Sequence, residues 1–358
     1  MKICFELAQQ GIGHVAPNPL VGSILVKNHQ IIAEGFHQKV GENHAEKNCI
    51  ENLELSQTEN SILFCNLEPC SHTNKRTPPC TELIIRKKIP HVIISNIDPN
   101  PLVSGAGIKK LQDHGIKVEV GISQEIGLKL NEIFFYHIHH QLPFITLKWA
   151  QSLDGKLALN NGQSQWISNQ KSRTKLTDLR LEHDGILIGA GTLINDNPSL
   201  LPRDNNQNIL MRKKRFVLCS NKIEFSQYQI FNDQYAQDTY LICPKDIAEK
   251  ISYPHHQIIN YDAKKSFTEN IPEILKKIYL KGCYSLLIEG GANTLTSFYQ
   301  NHCYQKLCLF IAPVILGQGK AINESVILEN LPKIKHRYHL ECQAFDDNVL
   351  LTYRWNKG

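Results

Sequence analysis

The chain has no long hydrophobic run: no window approaches the roughly 18 uninterrupted apolar residues of a membrane-spanning helix. That absence argues against a membrane protein. The opening stretch, MKICFELAQQG, carries one Lys and then an amphipathic pattern containing Glu6, with neither a continuous apolar core nor a small-residue cleavage site. A secretory signal is therefore not expected, and the sequence reads as cytoplasmic. Excess charge of one sign is scarce too. The formal balance is +5 with dispersed basic residues, which leaves no footprint for nucleic acid but suits an anionic metabolite. The densest basic run, MRKKR at 211–215, reads as a solvated loop. The eleven cysteines are odd in number and lack framework spacing. That excludes a disulfide scaffold and leaves buried thiols, any close pair beside a His being a metal candidate. Internal repeats, low-complexity tracts and a G-x-G-x-x-G fingerprint are all missing, so neither a repeat architecture nor a Rossmann dinucleotide site is expected.

What is present is a globular composition, 42% hydrophobic and 20% charged, in 358 residues. That length is too great for one comfortable core, so two domains are expected. Helical patterns over 2–11, 44–54, 80–88 and 105–114 alternate with the strand-like runs VGSILVK, QIIAEGF, SILFCNL, HVIISNI and IKVEVGI. The first two runs are joined by a turn at Asn28–His29. This alternation predicts an α/β layered sheet. A long helix is expected from Ser123 through FFYHIHHQ, stopped by Pro143, with His137, His139 and His140 at its solvated end. The boundary falls at 141–143, giving domains 1–141 and 142–358. Beyond it come a strand (PFITLKWA), a turn (SLDGK) and a helix over 168–182 with Ser168 as its cap. The apolar runs GILIGAGT, RFVLCSN, TYLICP, YSLLIEGG and KLCLFIAPVILG, with a helix at 292–300 before the last, predict a second, mostly parallel α/β domain.

Two stretches carry chemistry. GENHAEKNCI (41–50) places His44 and Glu46 two apart at a helix start, and LEPCSHTNKRTPPC (67–80) adds Cys70 and Cys80 at proline-marked turns. A catalytic zinc takes three protein ligands and keeps one position open. A carboxylate close to the ligand His, itself uncoordinated, can move protons for the activated water. His44, Cys70 and Cys80 supply the ligands and Glu46 the acid/base, in the H-x-E and P-C pattern of zinc nucleobase deaminases. Taken alone, H-A-E equally suits a polar helix start, and His72 competes as a ligand. Nine residues (71–79) separate the two cysteines, where that pattern has two. The loop between them brings His72, Lys75 and Arg76, which suit a phosphate. In the second half, EGGANTL reads as a strand end, a Gly-rich turn and a helix start, where backbone N–H groups favour an anion, or as a turn only. Lys148 is a candidate substrate contact, or a surface charge.

The segments PNPLVGSILVK, GFHQKVGENHAE, LEPCSHTNKRTPPC and DPNPLVSGAGIKKLQDHGI resemble the deaminase half of the bifunctional riboflavin-biosynthesis deaminase/reductase family. LKWAQSLDGKLALNNGQSQWIS, LRLEHDGILIGAGTLINDNPSL, LIEGGANTL and IAPVILGQG resemble its reductase half, in the same order and over nearly the whole chain. The resemblance implies a cytidine-deaminase-like α/β/α layered domain followed by a dihydrofolate-reductase-like α/β domain. It implies zinc and NADPH as cofactors, a small phosphorylated pyrimidine as substrate, no nucleic-acid or membrane partner, and a homo-oligomer. It favours Cys80 over His72 as third ligand, and the Cys70–Cys80 loop is one residue longer than the family form. By resemblance, Asn18, His37, Asp98 and Asn100 line the pyrimidine pocket. Ser164, Arg180, Leu200, Arg203 and Glu289 join Lys148 as reductase substrate positions. Ala150 (where the family has Gly), Trp166, Thr192, Asp196 and the loop Gly291, Ala292, Asn293, Thr294 and Leu295 fall on NADPH positions. Two other readings stay open: a nucleoside or tRNA-base deaminase with an unrelated appendage, and a zinc-stabilised binding protein without turnover. The first calls for a short Cys pair and a basic, aromatic-interleaved surface, the second for a closed four-ligand site.

Overall fold

The computed structural model describes residues 1–71, 78–101, 103–163, 167–221, 224–251, 257–322 and 338–355. It divides into two compact units, Met1–Gln141 and Leu142–Gly358. No helix among the described residues is long and apolar enough to cross a membrane.

In the first unit the strands β1 (Gly22–Lys27), β2 (Gln30–Phe36), β3 (Ile62–Leu67), β4 (His91–Asn96) and β5 (Lys117–Val120) form one sheet in the order β2-β1-β3-β4-β5. β1 runs antiparallel to both neighbours, and β3, β4 and β5 are parallel. Asn28 and His29 both take positive φ, 50° and 62°, the backbone of a tight turn whose twist matches the flanking strands. Helices α1 (Lys2–Gln9), α2 (Ala45–Ile50), α3 (Leu55–Thr58), α4 (Cys80–Arg86), α5 (Ala106–Asp113), α6 (Gln124–Leu130) and α7 (Glu132–His140) complete the unit. Its core gathers Leu25, Cys49, Ile50, Leu63, Ile84, Ile94 and Leu111 from strands and helices alike. Gly35 lets α2 lie against β2: a Cβ there would stand 2.5 Å from the Cys49 nitrogen and 2.7 Å from the Ala45 carbonyl oxygen. Only glycine tolerates so close a backbone approach.

Three expectations change here. The helix read over 44–54 is two, because Glu54 and Gln57 form a capping box that opens α3 afresh. The long helix from Ser123 breaks at Asn131, whose side chain turns inward to accept from Leu20 N at 2.8 Å and donate to Leu20 O at 3.0 Å. His137 is buried within hydrogen-bond distance of Pro17 O at 3.2 Å, while His139 and His140 are exposed as expected.

The second unit's main sheet has nine strands in the order β11-β10-β9-β8-β12-β6-β13-β16-β15. These are β6 (Phe144–Ser152), β8 (Gly185–Gly189), β9 (Lys214–Leu218), β10 (Thr239–Pro244), β11 (Gln257–Tyr261), β12 (Ser285–Glu289), β13 (Lys306–Ala312), β15 (Tyr338–Phe345) and β16 (Asn348–Trp355). The seven from β11 to β13 are parallel, and β16 and β15 close the edge antiparallel. The short strands β7 (Ala158–Leu159) and β14 (Gly319–Lys320) pair separately. Helices α8 (Gln170–Glu182), α9 (Ala190–Asp196), α10 (Lys245–Ala248), α11 (Phe267–Leu280) and α12 (Ala292–Gln300) connect them. β8, GILIG, is buried at every residue, as a strand with parallel neighbours on both sides should be.

Here the cap of α8 is Asn169 and not Ser168: Asn169 Oδ1 accepts from Ser172 N at 2.9 Å. The run MRKKR is not a solvated loop either. Arg215 lies within β9, fully buried, its guanidinium paired through both ends with Asp233 at 2.6 and 2.8 Å. The buried Lys213 donates to Leu181 O at 2.9 Å. Burial of a charge demands such partners. All eleven cysteines are free thiols.

Candidate active sites

In the first unit three side chains from three separate elements converge. His44 is the N-cap of α2, with its imidazole free of capping duty. Cys70 follows the end of β3, and Cys80 is the first residue of α4. Their ligand atoms all lie within 4.8 Å of one another. A tetrahedral zinc, at its usual bond lengths, sets nitrogen and sulfur ligands roughly 3.5 Å apart. His44 Nδ1 stands 3.5 Å from Cys70 Sγ and 3.4 Å from Cys80 Sγ, so the residues fit the metal. Cys80 N points at Cys70 Sγ at 3.4 Å, and Cys70 O accepts from Thr81 N at 3.2 Å. A sulfur at a helix N-terminus favours the thiolate. Hydrogen bonding to Cys80, with His44 adjacent, draws the Cys70 thiol far down, and the same bond holds Cys80 up. The first proton is thus already easy to lose, as a ligand requires.

Glu46 is the second residue of α2, 3% exposed. Burial pushes its carboxyl above the ordinary range; His44 opposes the rise and Cys70 adds to it. A carboxyl displaced in that direction is the kind that exchanges protons near neutral pH. His37 is buried beside the cluster, its ring 5.6 Å from that of His44 in an edge-on arrangement. His37 Nδ1 faces Asn43 O at 3.0 Å and therefore carries the proton, which leaves Nε2 to accept from Asn18 Nδ2 at 3.1 Å. Asp98 and Asn100 lie on the loop after β4. Leu67 pairs with Asn96 in parallel register, so that loop emerges beside Pro69 and Cys70. His72, Lys75 and Arg76 lie outside the described residues, and with them the extra residue of that loop.

One residue that the sequence did not single out organises this region. Glu68, next to the Pro69–Cys70 turn, accepts four backbone N–H groups from 98–108. Its signal was its place in L-E-P-C, but nothing local shows what a carboxylate there would bind. Asn66 was missed likewise; it accepts from Gly22 N at 2.7 Å and donates to Leu20 O at 2.9 Å, fixing the chain after Pro-Asn-Pro.

In the second unit a cleft of about 1640 Å³ is lined by most of the expected positions. Lys148 on β6 and Glu289 at the end of β12 are register partners on adjacent strands. Arg180 from α8 meets Glu289 with two hydrogen bonds, Nε to Oε1 at 2.7 Å and Nη2 to Oε2 at 2.8 Å. Burial would raise the Glu289 carboxyl, but the Arg180 charge and hydrogen bonds, with Lys148, outweigh it and hold it below its usual value. Burial lowers the Lys148 ammonium, against the pull of Glu289. Arg203 is steadied by Gln207 O at 2.8 Å. Leu200 touches the cleft from a left-handed backbone, φ 58°, a conformation that a branched side chain rarely adopts.

Thr192 on α9 accepts from Gly291 N at 3.1 Å and so ties together two glycine-bearing helix starts. Ala150, Asp196, Gly291, Ala292, Asn293 and Thr294 line the same cleft. Leu295 does not: it is fully buried in the core, because the fourth residue of α12 turns inward onto the sheet. Ser164 and Trp166 lie outside the described residues.

Residues 143–351 match the family model described as the RibD C-terminal domain, and residues 1–96 match the cytidine and deoxycytidylate deaminase zinc-binding region. The riboflavin biosynthesis protein RibD of Aquifex aeolicus is 38% identical over 99% of this chain and 98% of its own length. That of Bacillus amyloliquefaciens is 35% identical over 95% and 91%. The crystal structure of a diaminohydroxyphosphoribosylaminopyrimidine deaminase/5-amino-6-(5-phosphoribosylamino)uracil reductase from Thermotoga maritima superposes with a TM-score of 0.86 at 32% identity, covering 99% of this chain and 97% of that one. RibD of Acinetobacter baumannii does so at 0.85 and 28%, covering 99% and 98%. The relatives match both halves along almost their full length, which leaves no unrelated appendage. The chain belongs to the RibD family of bifunctional riboflavin-biosynthesis deaminase/reductases.

Proposed function

We propose that residues 1–141 form the deaminase domain and residues 142–358 the reductase domain of a two-step enzyme. The first step hydrolyses 2,5-diamino-6-(5-phosphoribosylamino)pyrimidin-4-one, and the second reduces the ribosyl group to give 5-amino-6-(5-phosphoribitylamino)uracil. The observation that carries the reading is the convergence of His44, Cys70 and Cys80 beside a buried Glu46. A three-ligand set leaves one coordination position open, as turnover needs and a closed structural site does not.

Zinc, when held by His44, Cys70 and Cys80, supplies the Lewis acid that makes water nucleophilic near neutral pH. Glu46 takes one proton from the attacking water and gives it to the ring nitrogen, then takes the proton of the hydroxyl left on the ring carbon and gives it to the amino group as the C–N bond breaks and the carbonyl forms. One water enters and one ammonia leaves. Asn18, with its amide held by His37, and the Asp98 and Asn100 loop offer short polar groups on fixed turns to the pyrimidine edge. In the second cleft NADPH, when bound, supplies the hydride. Glu289, locked by Arg180, and Lys148 present paired charges to the opened ribose. Arg203 is placed for the phosphate, to which a planar guanidinium is suited. Thr192, Asp196 and the Gly291–Thr294 helix start receive the cofactor; the N–H groups there attract its phosphates.

Removing zinc with a chelator is expected to abolish ammonia release while NADPH oxidation on supplied deaminated intermediate continues. Zinc quantification and the mass of each product check this. Ammonia release that persists at zero zinc would sink the reading. We place the enzyme in the cytoplasm as a homo-oligomer. Among the described residues β15 is the edge strand of its sheet, and such an edge is suited to assembly. Light scattering should return a multiple of the 40.8 kDa chain mass, and a strictly monomeric enzyme would rule assembly out.

A further inference from the structure

We infer that Glu68 is a positioning residue for deamination, locking the substrate-facing loop 98–108 to the turn that presents Cys70. Glu68 is 4% exposed and directly follows β3, two residues before that cysteine. Oε2 accepts from Asp98 N at 3.2 Å and Gly105 N at 3.0 Å, and Oε1 from Gly107 N at 2.9 Å and Ile108 N at 3.3 Å. Among the described residues it forms no ion pair. The helix α5 opens on Gly105, which has no side chain to cap it, so the first-turn N–H groups of Gly107 and Ile108 would otherwise be orphaned, while that of Ala106 reaches Val103 O. Glu68 caps these two, and Gly105 N, from 37 to 40 residues away in sequence. A carboxylate suits this place because charged acceptors bind N–H groups more strongly and complement the helix dipole.

The loop is tied at a second point. A Cβ on Gly107 would stand 2.2 Å from Pro69 O, so α5 rests directly on the carbonyl before Cys70. Asp98 continues the chain of support: its Oδ1 accepts from Asn100 N at 2.8 Å. Glu68 thus fixes Asp98 through its backbone and Asn100 through Asp98, in register with the cluster that holds the metal. The inference rests on the reading that Asp98 and Asn100 line the pyrimidine pocket.

The test is Glu68→Gln in the full chain. One amide oxygen keeps two of the four acceptances, while the NH₂ group faces the other two donors. Expected are a deaminase KM raised on the order of tenfold, with kcat, zinc content and NADPH-dependent reduction held. An unchanged KM overturns the inference. So does a fall in zinc and kcat at constant KM, which would make Glu68 a support for Cys70 alone. Should the variant fail to fold, amide exchange on the unsubstituted protein decides: the amides of 98, 105, 107 and 108 exchanging as fast as exposed loop amides refutes it. Asp98→Ala and Asn100→Ala are measured alongside. If neither moves KM, the pocket reading fails; if they raise it and Glu68→Gln does not, the positioning inference fails alone.

Discussion

Glu46→Gln is expected to lower deamination by about 10³- to 10⁴-fold, the upper part of what a positioned acid/base contributes. The upper part applies because one group serves both proton transfers, from water and to ammonia. The substitution keeps the side chain's volume, so the fold and zinc content should be retained. Glu46 is buried at the start of α2, and water has little access with which to replace it. Reduction of supplied intermediate, carried out by the other unit, should be untouched. The check is ammonia release, with zinc and NADPH oxidation measured on the same preparation. A loss below about tenfold with zinc in place would assign the proton transfers elsewhere.

Glu289→Gln should have the mirror effect: reduction lost, deamination intact. The side chains of Arg180 and Glu289 are 18% and 11% exposed, and Lys148 is half-buried beside them. Removing the one anion leaves two cations in a poorly solvated cleft. Breaking a buried pair from one side costs roughly 3–5 kcal/mol, and the residual solvent access argues for about 3 kcal/mol. In a unit of this size that lowers the melting temperature by roughly 6–12 °C. Because Glu289 titrates below its ordinary value of 4.5, its stabilisation is complete above that pH and is lost as the pH falls further. The double variant Arg180→Leu/Glu289→Leu should regain stability, since a well-packed apolar pair replaces a buried ion pair at little cost, but not activity. Calorimetry and NADPH oxidation together test this; a melting temperature unmoved by Glu289→Gln would refute the role of the pair.

Much of this was legible from local pattern. H-A-E, P-C and a second cysteine name ligand chemistry that side-chain type alone restricts, and the metal's needs do the rest. The strands β3, β4, β6, β8, β9, β10, β12 and β13 could be read because buried parallel strands are apolar, whereas β11, β15 and β16 were not read. The failures share one cause. Asn131, Ser168, Lys213 and Arg215 were read by local propensity, and each is decided by a partner distant in sequence. Asn131 breaks a helix to reach Leu20; Arg215 tolerates burial because Asp233 comes to it.

The sequence by itself determined the residue chemistry: one zinc-competent set with an acid/base, two α/β units, and a glycine-bearing helix start suited to phosphate. Those follow from side-chain type and short spacing. Only the tertiary structure decided that His44 meets both sulfurs at ligand separation, that Arg180 spends its guanidinium on Glu289, and that Glu68 caps a helix far along the chain. Such contacts join residues 26 to 109 positions apart, and a chain specifies them only through the packing of whole elements, which no local window contains.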